Sequence, residues 1–397
     1  MKTLNALLLC IVAFSCSPIS KLYVKFGEAQ PKLNDEAAKE GVIRLFFDRE
    51  GQLYPGFRIS NRAIKKSDSR LEYLYQRDTG IFHTALRTHN LPTTASTEAL
   101  QSKLIEESIE EITRASAGKK LVFIIHGFNK HHSKPRKENA VAENAAMRER
   151  ILNSYPGDSF QFVEIYWDGC SWANATKIQS PFNSIKIWNN AQPAANIVGL
   201  ELRRIFSRLT NDTTYIISHS LGALVTSAAL FNVDNFGIKQ ADGSYSANPF
   251  REGILQQYAD TVLYRTPVSQ FRVGMLAPAT PGTNTFNEFY SRTPDDDKSE
   301  QNYHVNVGFN KYDRVLRKFI NRPKYHGATT LGALQSEVDA VEKIVDINGR
   351  QLFSMTDFSW KIKPKNSKRV KQKQHAFVCY AENQLAILPF LNSVFNR

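Results

Sequence analysis

The chain has 397 residues, 42% of them hydrophobic, and a formal net charge of +13. That is enough apolar material for one large core carrying insertions, which excludes a disordered or low-complexity protein. No internal repeat and no linker-like stretch divides it, and the basic balance points to anionic partners rather than to any particular fold.

At the N-terminus Lys2 precedes an apolar segment, Ala6 to Phe14, and then Ser15-Cys16-Ser17. A segment this short cannot cross about 30 Å of hydrocarbon as a helix, and it reads as the h-region of a signal peptide. Ala13 and Ser15 fit cleavage just before Cys16, which is also where a bacterial lipoprotein carries its lipid. Lipid attachment at Cys16 and plain secretion both remain open; either exports the chain to the bacterial cell envelope or beyond. The expected division is a signal peptide over 1–15, an N-terminal linker over 16–40 and one domain over 41–397.

Val42 to Phe47 and Leu53 to Phe57, split by Asp48-Arg49-Glu50-Gly51, suggest an opening hairpin. Glu98 to Ala115 predicts an amphipathic helix with Leu104, Ile105, Ile109 and Ile112 on one face. Leu121-Val122-Phe123-Ile124-Ile125 is apolar on both faces, as a central parallel strand must be, and runs into His126-Gly127-Phe128-Asn129. A second strand ends at Ile165-Tyr166-Trp167-Asp168, and a helix is expected over Ala194 to Leu209. Between them Trp172 to Gln192, rich in aromatics and asparagine, reads as a lid or as an ordinary packed insertion.

The most informative segment comes next. Thr213 to Ile217 predicts a buried strand, and Leu221 to Phe231 a helix, with almost no loop between them. Ser220 therefore sits on a tight strand-to-helix turn, flanked by the small residues Ser218 and Gly222, as in a nucleophile elbow. The bland alternative is a serine capping a helix N-terminus. Asn232 to Ser269, with the turn Asp242-Gly243-Ser244, is a further candidate insertion. Strands are expected over Phe271 to Leu276, His304 to Phe309 and Leu352 to Trp360. Asp313 closely follows the second of these, where it suits either a triad acid or the N-cap of a helix from Arg314; His375 follows the third.

Ile125-His126-Gly127-Phe128-Asn129, Ile165-Tyr166-Trp167-Asp168 and His219-Ser220-Leu221-Gly222, in this order, resemble the α/β-hydrolase superfamily. The closest likeness is to a bacterial family of α/β-hydrolases of undefined function marked by HGxN and HS(L/M)G. Ser218 stands where the elbow usually has glycine, and Asp168 where that family often has proline. The resemblance implies an α/β three-layer sandwich, a mostly parallel sheet flanked by helices, with insertions near 172–192 and 232–269. It also implies a catalytic order of serine, acid, histidine, satisfied by Ser220, Asp313 and His375, with the backbone amides of Phe128 and Leu221 as the oxyanion hole. Asp295-Asp296-Asp297 precedes its strand and His326 follows Asp313 too soon, so both are rejected as triad members. His126 is read as structural.

Two basic runs flank this constellation in sequence, Lys130 to Lys137 and Lys361 to Lys373. They fit an anionic substrate or surface, and equally a solvated loop. Aromatic residues are not interleaved with them and no nucleic-acid motif is present, so nucleic acid is not an expected partner. No metal-ligand cluster appears and no cofactor is expected. A bridge between Cys170 and Cys379 is disfavoured because it spans several strands, and Cys379 is read as a buried small hydrophobe. The expected activity is hydrolysis of a carboxylic ester, small or lipid, by a serine nucleophile. The rivals are acyl transfer by the same residues and a non-catalytic surface binding protein on a hydrolase scaffold.

Overall fold

The structure, a computed structural model, describes residues 26–60, 62–63, 70–128, 139–168, 181–230, 238–239, 245–246, 270–280, 282, 303–318, 331–345, 352–363 and 368–396. Seven strands make its main sheet: β1 (Val42–Phe47), β2 (Lys120–Ile125), β3 (Phe160–Trp167), β4 (Thr213–His219), β5 (Gln270–Leu276), β6 (Tyr303–Phe309) and β7 (Phe353–Asp357). Their spatial order is β1-β3-β2-β4-β5-β6-β7, and every neighbouring pair is parallel. The helices are α1 (Phe26–Glu40), α2 (Leu71–Arg77), α3 (Thr79–Thr88), α4 (Thr97–Ala115), α5 (Ala140–Ser154), α6 (Pro181–Phe206), α7 (Gly222–Leu230), α8 (Arg314–Lys318), α9 (Gln335–Val345), α10 (Phe377–Ala381) and α11 (Ile387–Phe395).

The period of two along β2 divides the core into layers. Leu121, Phe123 and Ile125 join one apolar cluster with Leu104 and Ile112 of α4 and Val198 and Leu202 of α6. Val122 and Ile124 face the other way, into a cluster with Met147 and Ile151 of α5 and Phe390 and Val394 of α11. A sheet apolar on both faces has to be covered on both, and the result is a three-layer α/β sandwich. α4 starts where Ser96 accepts from Ala99 N at 3.2 Å and buries the four residues expected of it.

Four sequence expectations are corrected. Val42–Phe47 pairs along its whole length with β3 as a parallel edge strand, and the expected hairpin is reduced to one antiparallel bridge, Phe47 to Leu53, closed by Tyr54 N to Phe46 O and Asp48 N to Gln52 O. The turn belongs instead to Asp48, whose Oδ1 accepts from Glu50 N and Gln52 N while Oδ2 accepts from Leu71 N at the start of α2. Residues 26–40, taken as linker, form α1, which buries Leu33 and Ala37. Positions 181–192, taken as insertion, are the first turns of α6. Leu352 to Trp360 is two strands: the chain breaks at Phe358-Ser359, where Phe358 N donates to Phe309 O, and restarts as β8 (Trp360–Lys363), antiparallel to β9 (Lys368–Lys371).

Within 232–269 the description is confined to a two-residue antiparallel pairing of Ile238–Lys239 with Tyr245–Ser246. The signal segment and Cys16, the basic run Lys130 to Lys137, Cys170, Asp295 to Asp297 and His326 lie outside the described residues. Among the described residues no helix is long and apolar enough to cross a membrane.

Candidate active site

Ser220 leaves the C-terminal end of β4, the central strand, and its backbone adopts φ of +54°. A side chain rarely takes this left-handed conformation, and it persists only where the surroundings over-determine it. Here they do. Ser220 N donates to Leu276 O at 3.0 Å, and Ser220 O accepts from both Ala223 N and Ala279 N. Strand β4, the end of β5 and helix α7 thus hold one residue from three sides.

The close approach explains the small residues. A Cβ on Gly222 would lie 2.6 Å from His126 O and 2.7 Å from Ile125 O, so α7 can pack on the end of β2 only with glycine there. A Cβ on Gly127 would lie 3.0 Å from the Ser220 Cβ, which places the turn after β2 directly against the elbow. Ser218, in the usual glycine position, is accommodated: its side chain is buried, and its hydroxyl has no hydrogen-bond partner among the described residues.

His375 and Asp313 meet Ser220 although they are far away in sequence. His375 Nε2 lies 2.7 Å from Ser220 Oγ, and His375 Nδ1 lies 2.7 Å from Asp313 Oδ2. A carboxylate only accepts, so Nδ1 carries the proton and Nε2 is left to accept from the serine hydroxyl. Asp313 is fully buried and serves two purposes. Its Oδ1 accepts from Val315 N and Leu316 N at the start of α8, while Oδ2 faces the histidine. Burial raises the Asp313 pKa, but the charge and hydrogen bond of His375, with help from Tyr380 and the Leu316 amide, outweigh it and hold the carboxyl below its ordinary range.

Three residues of this network were not singled out in the sequence. Tyr380, from α10, donates its hydroxyl to Asp313 Oδ2 at 2.7 Å and accepts from Asn310 Nδ2 at 3.1 Å. Burial, then the Asp313 charge, push the Tyr380 phenol well above its usual pKa, so it stays a donor. His219 donates from Nε2 to the backbone carbonyl of His375 at 2.8 Å, and its ring stacks on Phe377 at 5.1 Å. The neighbour of the serine thereby fixes the backbone of the residue that faces the serine.

Replacing Tyr380 by phenylalanine removes one donor from a buried carboxylate, a bond worth about 1.5–3 kcal/mol. The lowered Asp313 pKa stabilises the fold above the unfolded carboxyl pKa of about 3.9, and that stability is lost as pH falls through the lower folded value. Tyr380→Phe is therefore expected to begin unfolding at a higher pH on acid titration, followed by circular dichroism. An unmoved acid transition would show that the hydroxyl does not hold the charge.

Of the other sequence candidates, His126 faces away into the fold: its Nε2 accepts from Trp167 N at 3.3 Å, and its carbonyl from Trp167 Nε1 at 2.9 Å. Asp168 is buried at the end of β3. The amide of Leu221, first residue after the serine, has no hydrogen-bond acceptor among the described residues. Phe128 is the last described residue of the turn after β2. Cys379 is half-buried rather than buried, and its sulfur reaches Gln374 Oε1 at 3.0 Å. Among the described residues no group of three or more His, Cys, Asp or Glu could hold a metal ion.

No family model and no curated protein matches the chain. The crystal structure of TT1662 from Thermus thermophilus is similar over 70% of this chain and 90% of its own, at 13% identity and a TM-score of 0.29. A likeness that distant carries no argument about activity. The sheet fits a hydrolase-like fold. A parallel sheet with its candidate groups at the C-terminal ends of β4 and β6 has them where open α/β sheets bind ligands.

Proposed function

We propose that this chain is a serine hydrolase that cleaves a carboxylic ester. One observation carries the reading: an unbroken line from Ser220 Oγ through both nitrogens of His375 to a buried carboxylate, each step 2.7 Å. In this reading Ser220 attacks the acyl carbon and His375 Nε2 takes its proton. Asp313 holds the tautomer and stabilises the imidazolium, and His375 then protonates the leaving alcohol. The amides of Leu221 and Phe128 receive the negative charge on the carbonyl oxygen; losing one such donor typically costs about 3 kcal/mol of barrier. Water, activated by the same histidine, releases the acid. The same residues support membership of the α/β-hydrolases, with HGxN and HS(L/M)G pointing to the bacterial family of undefined function.

A fluorophosphonate tests the nucleophile directly. Intact mass of the purified protein should gain a single phosphonyl adduct that Ser220→Ala lacks. A folded protein that takes up no adduct overturns the reading in favour of a non-catalytic scaffold. Partition of an activated ester between water and an added alcohol then separates hydrolysis from acyl transfer.

A further inference from the structure

The residues that line up with Ser220 are each set in a basic segment, and the fold merges the two. From Phe358 to Ala381 the chain has seven Lys or Arg and no Asp or Glu. Around Asp313, Lys311, Arg314 and Arg317 are all exposed. The β8–β9 hairpin leaves the C-terminal edge of the sheet just after β7 and delivers the chain to His375. It docks on the Asp313 loop, where Lys311 N donates to Ser359 Oγ at 3.2 Å; the hairpin itself is closed at its base by Gln372 N donating to Ser359 O at 2.8 Å. Lys371 Nζ lies 4.7 Å from the centroid of the Tyr312 ring, and the Arg369 guanidinium lies 5.1 Å from that of Trp360. The two rings pack edge to face at 5.5 Å.

We propose that this platform docks the protein on an anionic phospholipid surface, with the Ser220 side turned toward it. Lys311, Arg314, Arg317, Lys368, Arg369, Lys371 and Lys373 are all exposed along the two segments, so they suit many phosphates in a plane better than one captured anion. The aromatic pair is already engaged: each ring is half-buried, lies beside a cation and packs edge to face against the other, which leaves less of it to stack a base. That separates this surface from a single-stranded nucleic-acid platform. The rings serve instead to hold Lys371 and Arg369 upright over the hairpin, which lowers the ordering cost of binding. Juxtamembrane basic clusters gain affinity from each added charge, and that attraction is screened by salt. The docking does not depend on Ser220 being a nucleophile.

The test uses the full chain and compares vesicles of mixed phosphatidylglycerol and phosphatidylcholine with pure phosphatidylcholine, so that any binding common to both cancels in the ratio. The parent and Ser220→Ala should both prefer the anionic vesicles by at least about tenfold at low salt, and the preference should shrink at high salt. Joint substitution of Lys368→Glu, Arg369→Glu, Lys371→Glu and Lys373→Glu should abolish it. The same number of reversals elsewhere on the exposed surface, Lys39→Glu, Arg87→Glu, Arg114→Glu and Lys119→Glu, should leave it within about twofold. Should the reversed hairpin melt earlier than the parent, glutamine at the same four positions replaces it. Equal loss in both variants would mean that only net charge matters and would overturn the proposal. So would indifference to lipid charge, and so would a parent that binds a short oligonucleotide through these residues while ignoring lipid charge. Loss of the fluorophosphonate adduct with intact vesicle preference would sink the hydrolase reading and leave the docking standing.

Discussion

Asp313→Asn is expected to slow phosphonylation of Ser220, and any ester hydrolysis, by about 10⁴-fold while leaving the fold in place. The asparagine carbonyl can still accept from Val315 N and Leu316 N, so α8 keeps its cap. Its amide, however, would now point a donor at His375 Nδ1. The histidine answers by moving its proton to Nε2, where it can only donate to Ser220 Oγ and can no longer take the serine proton. Thermal unfolding should show a loss of about 1.5–3 kcal/mol in stability, because the amide also replaces the oxygen that accepts from the Tyr380 hydroxyl, while shape and caps are kept. A reduction of less than about tenfold in labelling rate, with the fold retained, would mean that tautomer control is not what Asp313 contributes.

The same constellation shows what can be seen in a chain of residues and what cannot. Ser220 was visible because the elbow is local: an apolar strand, a small residue, a serine and a helix-forming run lie within about ten residues, and steric demand fixes their spacing. Asp313 and His375 were visible only through order along the chain and position after a strand. Tyr380 and Asn310 left no such trace, and His219, though it stands in the HS(L/M)G motif, gave no sign of its bond to the His375 carbonyl. A tyrosine on α10 becomes a partner of Asp313 because the hairpin and α10 fold back over β6, and no short-range pattern announces that. The two β misreadings have related causes. Asp48 to Gly51 carries turn chemistry and does turn, but β1 found a better partner in β3, more than a hundred residues on. Phe358-Ser359 interrupts an otherwise plausible strand because Phe358 is drawn into the core against Tyr380 and Phe390.

The β1–β3 pairing carries the largest expected effect on stability. Arg44 sits directly across from Glu164 in the register, and both side chains are fully buried, in strands that otherwise read as apolar. The guanidinium donates to Glu164 at 2.8 Å and to Leu33 O at 2.6 Å; Tyr166 donates to the same carboxylate at 2.6 Å, and Arg148 faces it at 3.2 Å. Arg44 and Arg148 also meet Glu40, at 3.4 and 2.6 Å, but Glu164 is the fully buried carboxylate among these groups. Glu164→Ala should therefore cost about 3–5 kcal/mol in urea unfolding, the range for stranding a buried charge. Replacing both members, as Arg44→Met with Glu164→Leu, should recover part of that loss, because Arg44 no longer needs a counter-charge while Tyr166 and Arg148 still lack their partner. If the double variant is as unstable as the single one, the edge is held by the arginine's bond to Leu33 and not by the ion pair. Either result bears on the site only indirectly: β3 pairs with β2, and the turn after β2 presses on Ser220. Labelling of Ser220 in the folded double variant should accordingly stay near that of the parent.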